Sequence, residues 1–400
     1  MATSLRDNID WVGYVDWTVR DFHGYRTERG STYNAYLLRD EKTALIDTVK
    51  APYADKLLSH VAALTDPGDV DYVVCNHAEP DHSGSLARVM DACGGAELIC
   101  DRRCRDALAG HYDTSGWRFR VVADGDEVSL GRRTLRFHLT PMVHWPESMA
   151  TYVPEEKLLF SMDGFGQHFA SSGRFDDEEP LDVVMAEAKT YYANILMLYG
   201  HAIDKTLDKL SGLEIETLAP SHGVIWRSHV GEIVSAYRQW VKLARAAKVL
   251  VIYDSMWGST ETMARAIYEG AAAAGGGVEA KLIHVRSSHL TVVATEVLDA
   301  AAMAFGSPTL NGTLMPQMAA ALTYLQGLKP FGKAALLFGS YGWAKGAARD
   351  MASYLDAMKC DVLREPLLSQ YVPAAEVLDD CRAAGALLAA KAGELAGATD

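Results

Sequence analysis

Through the first 247 residues, apolar positions gather into short runs separated by turn-forming residues. The runs at 34–38, 44–47, 71–75, 97–100, 135–139 and 157–162 predict strands, and with the mixed stretches between them they give an α/β layer pattern. From about residue 248 the rhythm becomes regular. KVLVIYDS, VEAKLIHV, AAMAFGS and KAALLFGS each read as a buried strand, and residues 260–274 read as a helix after the first of them. Strands alternating with helices in this way predict a parallel, doubly wound sheet. Residues 233–247 read as a helix closing the first part, and the abrupt start of a buried strand at Val249 sets a boundary there. The expected domains are therefore 1–247 and 248–400, packed without a flexible linker; the glycines at 275–277 mark only a turn inside the second.

Size and composition agree with that division. A chain of 400 residues exceeds what one core usually organises, and 49% apolar with 22% charged residues is the balance of ordinary globular domains. The N-terminal stretch MATSLRDNIDW brings in Arg6 and Asp7 before any apolar run can form, so no secretory signal is expected and the chain is placed in the cytoplasm. The longest uncharged stretch, 300–328, is interrupted by Ser307-Pro308, Asn311-Gly312 and Pro316-Gln317, so it reads as buried elements with loops rather than a membrane span. A net charge of −14 argues against a nucleic-acid partner, which would require a basic face to neutralise phosphates. The six cysteines, at 75, 93, 100, 104, 360 and 381, contain no C-x-x-C pair. Neither a zinc ribbon nor a rubredoxin-type iron site is encoded, so any such electron carrier is a separate protein. Cys100 and Cys104, four apart, have a spacing that could hold a metal, but they read as reduced and partly buried thiols.

Polar chemistry concentrates where strands end. Directly after VDYVVC comes NHAEPDHSGS, which sets His77, Glu79, Asp81 and His82 on one short turn. Imidazoles and carboxylates are costly to bury unless paired or metal-bound, so such density points to a shared cation, with a solvated acidic loop as the alternative. His144 in TPMVHWPES, Asp163 after KLLFSMD and His222 after ETLAPS each terminate a further strand. Seven candidates exceed one tetrahedral zinc but suit two metals that share a carboxylate. His23, His168, Tyr191 and Tyr192 could line the same pocket or serve the core; His60, His111, His201 and His289 read as structural.

In the second half, SMWGST follows the strand KVLVIYD and opens a helix. Hydroxyls of Ser255, Ser259 and Thr260, with Met256, Trp257 and Gly258 between them, would converge with free backbone N–H groups on an anion such as a monophosphate. Alone the turn could be a helix cap. Two further loops follow later strands, Ser307, Pro308, Thr309, Leu310, Asn311 and Gly312 after one, and Ser340, Tyr341, Gly342 and Trp343 after the next. All three belong at strand C-termini, where a doubly wound sheet binds its ligand. No G-x-G-x-x-G fingerprint occurs, so a nicotinamide cofactor is not expected.

The metal motif resembles the metallo-β-lactamase superfamily pattern H-x-H-x-D-H, with Glu79 in place of the second histidine. Exchanging imidazole for carboxylate makes the site harder and more anionic, which favours iron or manganese over zinc. The set H-x-E-x-D-H, HWPES, MDGFG and SHGVIWR, together with the flavodoxin-like loops, is similar to the flavodiiron proteins over essentially the whole chain; Glu147 departs from the Asp that the family often has after HWP. The resemblance implies an N-terminal metallo-β-lactamase-like αββα sandwich followed by a flavodoxin-like doubly wound parallel sheet.

The same resemblance implies His77, Glu79 and His144 on one iron, Asp81, His222 and His82 on the other, and Asp163 bridging. For His82 an outer position or a place in the substrate pocket is the alternative. It implies FMN held by the three loops, with 309–312 beside the ring and Tyr341 and Trp343 as stacking aromatics that could instead be core. FMN and two ferrous irons together store four electrons, the number that takes dioxygen to water, while two electrons take paired nitric oxide to nitrous oxide. The implied activity is one or both reductions, with no catalytic residue beyond the metal ligands. The implied donor is separate, being rubredoxin, a flavoprotein reductase or reduced deazaflavin, and the implied assembly is a head-to-tail homodimer or a dimer of dimers. The rival readings are a zinc-dependent metallohydrolase with an appended flavodoxin domain and a non-enzymatic electron carrier.

Overall fold

The computed structural model describes residues 2–397. It divides into two compact units. The first runs to Tyr191 and resumes over Tyr199–Arg238, whereas the second takes Tyr192–Leu198 and the described chain from Gln239 onward.

In the first unit, strand alternation builds two sheets that share a core. One sheet orders the strands Thr3–Arg6, Ile9–Trp11, Tyr36–Arg39, Thr43–Ile46, Val70–Val74, Glu97–Asp101 and Arg118–Val122; the other orders Glu127–Ser129, Thr134–Leu139, Met149–Val153, Leu158–Met162 and Thr217–Pro220. Tyr36, Leu38, Ile46, Val74 and Ile99 from the first sheet meet Leu135, Phe137, Met149, Leu158 and Phe160 from the second in one apolar cluster. Their strand neighbours Leu37, Leu45, Val73 and Leu98, which point the other way, are fully buried as well. The first sheet is thus covered on both faces, which explains its continuous apolar runs. Thr43–Ile46, Val70–Val74 and Glu97–Asp101 lie parallel, as do Leu158–Met162 and Thr217–Pro220. Parallel neighbours bring their C-terminal ends to a common edge, and the loops that follow these strands carry the polar residues singled out above.

The second unit is a single parallel sheet in the order Glu279–His284, Ala246–Tyr253, Ala300–Gly306, Ala334–Tyr341, then Asp361–Val362 and Leu367–Gln370, both paired with Ala334–Tyr341. The chain order reverses beside Ala246–Tyr253, so the switch point of the sheet falls between this strand and Ala300–Gly306. Helix Ser259–Ala273 and helix Ala375–Gly397 cover one face through Met263, Ile267, Ala384 and Leu388. The helix expected over 233–247 is instead Val230–Trp240, and the strand starts at Ala246. Leu243 in between has a left-handed φ of 50°, which no helix continues through.

Candidate functional site

The turn after Val70–Val74 is anchored before its charged residues begin. Asn76 donates to both oxygens of Asp47, through its backbone N–H at 2.7 Å and its side-chain amide at 2.8 Å, and accepts from the Thr151 hydroxyl at 2.8 Å. Pro80 opens the short helix Pro80–Ser83, and the Ser83 hydroxyl folds back onto the Ala78 carbonyl at 2.6 Å. These bonds turn His77, Glu79, Asp81 and His82 inward, and all four are buried.

The seven residues expected to bind metal come together in two adjoining groups. His77, Glu79, His144 and Asp163 form one, and Asp81, His82 and His222 form the other. Asp163 joins them. Its Oδ2 lies 3.3 Å from His144 Nε2 and 3.5 Å from His77 Nε2, while its Oδ1 lies 3.3 Å from His82 Nε2 and 3.4 Å from His222 Nε2. Glu79 Oε2 is 3.1 Å from His77 Nε2 and 3.2 Å from His144 Nε2, and Asp81 Oδ2 is 3.1 Å from His222 Nε2. Around this centre, His77 Nδ1 faces Glu147 Oε1 at 2.9 Å, His222 Nδ1 faces the Thr32 carbonyl at 2.6 Å, and the Tyr191 hydroxyl donates to Asp163 Oδ1 at 2.8 Å.

Electrostatics shows what the cluster requires. Burial would push the carboxyls toward their neutral forms, yet Glu79 and Asp163 are held well below the usual carboxylate range by the imidazoles against them. Asp81 sits at about 2, burial again being outweighed by His82 and His222. Burial would likewise lower His144, but Asp163 and Glu79 raise it to about 9. The pocket therefore demands positive charge. Asp81 Oδ1, His82 Nε2 and Asp163 Oδ2 are nevertheless buried without a hydrogen bond of acceptable geometry. Unpartnered atoms of ligand type in both groups, Asp163 Oδ2 in the first and Asp81 Oδ1 and His82 Nε2 in the second, fit metal cations better than protons.

Of the other histidines and tyrosines, His23 sets Nε2 3.0 Å from Glu79 Oε1. His168 is buried between Tyr25 and Ser31 and is held well below the usual imidazole range by that burial and by His222. Tyr192 belongs to the second unit, where its ring packs on Trp240. His60 and His289 are structural, facing the Val12 and Gly13 carbonyls and capping a helix, respectively. All six cysteines are free. Cys104 Sγ lies 3.7 Å from Cys75 Sγ, behind the ligand turn.

In the second unit a cavity of about 730 Å³ opens at the switch point of the sheet. It is lined by Met256, Trp257 and Ser259 from the first loop, residues 308–312 from the second, and Ser340, Tyr341, Gly342 and Trp343 from the third. Gly258 adopts a φ of 90° and turns the first loop into helix Ser259–Ala273, and its N–H donates to Ser255 Oγ at 3.2 Å. Two residues expected at the ligand also brace the loops. The Thr260 hydroxyl is buried 2.9 Å from that of Ser340, and Ser307 Oγ accepts from the Met315 N–H at 2.9 Å. Trp343 is 93% exposed and Trp257 87%, so neither is core. The cavity also has a wall that the sequence reading missed, Tyr371 and Val372, which follow strand Leu367–Gln370 and so occupy a strand C-terminus like the other loops. Among the described residues no helix is long and apolar enough to cross a membrane.

Comparison with known proteins places these observations. Residues 32–223 match the ODP family beta lactamase model and residues 251–385 the flavodoxin model. The chain is 45% identical over 393 residues to a nitric oxide reductase of Moorella thermoacetica, covering 97% of this chain and 98% of that protein. It is 39% identical over 378 residues to a rubredoxin-oxygen oxidoreductase of Megalodesulfovibrio gigas, covering 93% of each. The crystal structure of the flavodiiron protein from Giardia intestinalis superposes with a TM-score of 0.96 at 39% identity, covering 99% of this chain and 98% of that one.

Proposed function

The chain belongs to the flavodiiron protein family, and from that premise we propose that this oxidoreductase reduces dioxygen, nitric oxide or both at two irons, with electrons delivered through FMN. The observation that carries the reading is Asp163, buried between two ligand groups with one oxygen turned to each. His77, Glu79 and His144 would hold one metal and Asp81, His82 and His222 the other. The unpartnered His82 Nε2 favours a ligand role for that residue over an outer one. With three carboxylates among seven ligands, the set is harder and more anionic than zinc hydrolases need, and this favours iron. Two irons held by these residues would supply a binding place for a small gas and two of the electrons it takes up.

The protein's own contribution is positioning. Glu147, the Thr32 carbonyl and Tyr191 fix the orientations of His77, His222 and Asp163 through hydrogen bonds. In the second unit, the turn 255–260 and the N-terminus of helix Ser259–Ala273 suit the phosphate of FMN, and 308–312, 340–343 and Tyr371 would enclose its ring. We assign the chain to the cytoplasm and its donor to a separate carrier, with rubredoxin the first to try given the name of the Megalodesulfovibrio relative. The exposed rim of Trp257, Trp343 and Val372 suits a twofold assembly in which each subunit's flavin serves its partner's metal centre.

Replacing Glu79 or Asp163 by Ala tests the reading. Iron content and gas reduction should both fall to background while FMN per chain is unchanged. Full activity without iron would refute it.

A further inference from the structure

A file of aromatic rings leads away from the metal pocket through the first unit. Strands Tyr14–Asp16 and Ser31–Tyr33 pair antiparallel, with Tyr14 opposite Tyr33, so both rings stand on one face. Tyr53 lies against that face. Its ring is 3.8 Å from that of Tyr14 with the planes within 16°, and 5.5 Å from that of Tyr33. Tyr33 in turn stands 5.9 Å from the ring of His222. One tyrosine of the file has a proton acceptor away from the metal ligands: the Tyr53 hydroxyl donates to Asp16 Oδ2 at 2.6 Å. Asp16 is 5% exposed, and its other oxygen accepts from the Thr18 N–H and hydroxyl and the Val19 N–H.

A phenol gives up an electron readily only if its proton leaves at the same time, because the radical cation is a strong acid. Tyr33 is unsuited to hold the oxidising equivalent. Its hydroxyl is buried without a partner, and the Lys50 ammonium lies over its ring at 5.4 Å. Tyr191 has as its acceptor Asp163, the carboxylate shared by both ligand groups. Tyr53, two ring contacts from His222, has both the path and the acceptor.

We propose that Tyr53 is a redox-active tyrosine serving the metal centre, with Asp16 taking its proton and Tyr33 as the intervening ring. The inference rests on the metal-centre reading above. When an oxidant meets the centre without enough electrons from the flavin, the shortfall is drawn from Tyr53 and then from Tyr14 stacked on it. With hydrogen peroxide as oxidant, two tyrosines and one peroxide give two neutral tyrosyl radicals and two waters. Each O–H loses one electron toward His222 and one proton, that of Tyr53 to Asp16 and on to solvent and that of the half-buried Tyr14 to solvent directly. The peroxide O–O bond breaks, and its two oxygens take up two protons from solvent to leave as water. Coupling of the two radicals joins the rings by a carbon–carbon bond ortho to the hydroxyls, and the displaced ring hydrogens restore both O–H groups.

The test uses the full-length protein carrying counted iron and FMN, mixed with hydrogen peroxide in the absence of reductant and frozen. A neutral tyrosyl radical should be seen by electron paramagnetic resonance, and peptide mapping should recover a Tyr14–Tyr53 cross-link. Iron-free protein and Tyr53→Phe should give neither, and Tyr14→Phe should keep the radical but lose the cross-link. Asp16→Asn should lower the radical yield severalfold at unchanged iron content. An equal radical in Tyr53→Phe or in iron-free protein overturns the proposal. So does an iron-loaded protein that yields neither product, an outcome that leaves the metal reading intact; a protein that binds no iron fails at that earlier step. Mapping on the unsubstituted chain decides the matter should a variant not fold.

Discussion

A buried imidazole has two nitrogens to satisfy, and His77 divides them between tasks. Nδ1 faces Glu147 at 2.9 Å, which leaves Nε2 free to turn toward Glu79 and Asp163. Glu147 also accepts from the Ala78 N–H at 3.2 Å, so it fixes both the ring and the start of the ligand turn. Glu147→Ala should therefore weaken iron retention roughly 10- to 100-fold in a chelator competition without changing flavin content. A second buried charge behaves differently. Lys333 is completely buried and donates to the Leu298 and Ala300 carbonyls at 3.1 and 2.6 Å, and burial lowers its pKa to about 7. In the unfolded chain the amine stays protonated to about pH 10. Between these values the folded state binds fewer protons, so stability rises with pH across the window and the full penalty applies below about pH 7. Denaturant midpoints should increase from pH 7 to pH 9, and the increase should shrink in Lys333→Met.

Elements place these residues through what happens at their ends. Strands Val70–Val74, Leu158–Met162 and Thr217–Pro220 deliver the ligand turn, Asp163 and His222, while the loop between Thr134–Leu139 and Met149–Val153 delivers His144. In the second unit, helix Gly346–Ala357 begins against the cavity loop. A Cβ at Gly346 would collide with the Gly312 carbonyl. Gly346→Ala should displace residues 309–313 and lower FMN content, read from the flavin absorbance per chain, with iron retained.

Strands Val70–Val74, Leu158–Met162 and Thr217–Pro220 were legible because buried parallel strands are continuous apolar runs, and a polar residue directly after such a run stands out. The antiparallel Thr134–Leu139 before the His144 loop showed itself by alternation. Arg118–Val122 was not legible, since an edge strand with two arginines and mostly exposed positions has no apolar face to show. Leu367–Gln370 was too short and mixed, and with it Tyr371 and Val372 were missed. Asn76, Asp47 and Thr32 carry no signal of their own. They matter through hydrogen bonds across distant parts of the chain, and only folding creates those bonds.

At the scale of the molecule, each unit builds its site with its own residues. The seven candidate metal ligands all lie in the first unit and the cavity-lining residues in the second, so substitutions at one site should leave whatever the other binds in place. The central claim is that the two sites form one redox device, and anaerobic stoichiometry tests it most directly. Protein purified without oxygen should contain two irons and one FMN per chain. Once fully reduced, it should consume dioxygen to water without released peroxide, or nitric oxide to nitrous oxide, reoxidising both cofactors as the gas disappears. Zinc in place of iron, or a reduced protein that keeps its electrons in the presence of both gases, would contradict the account.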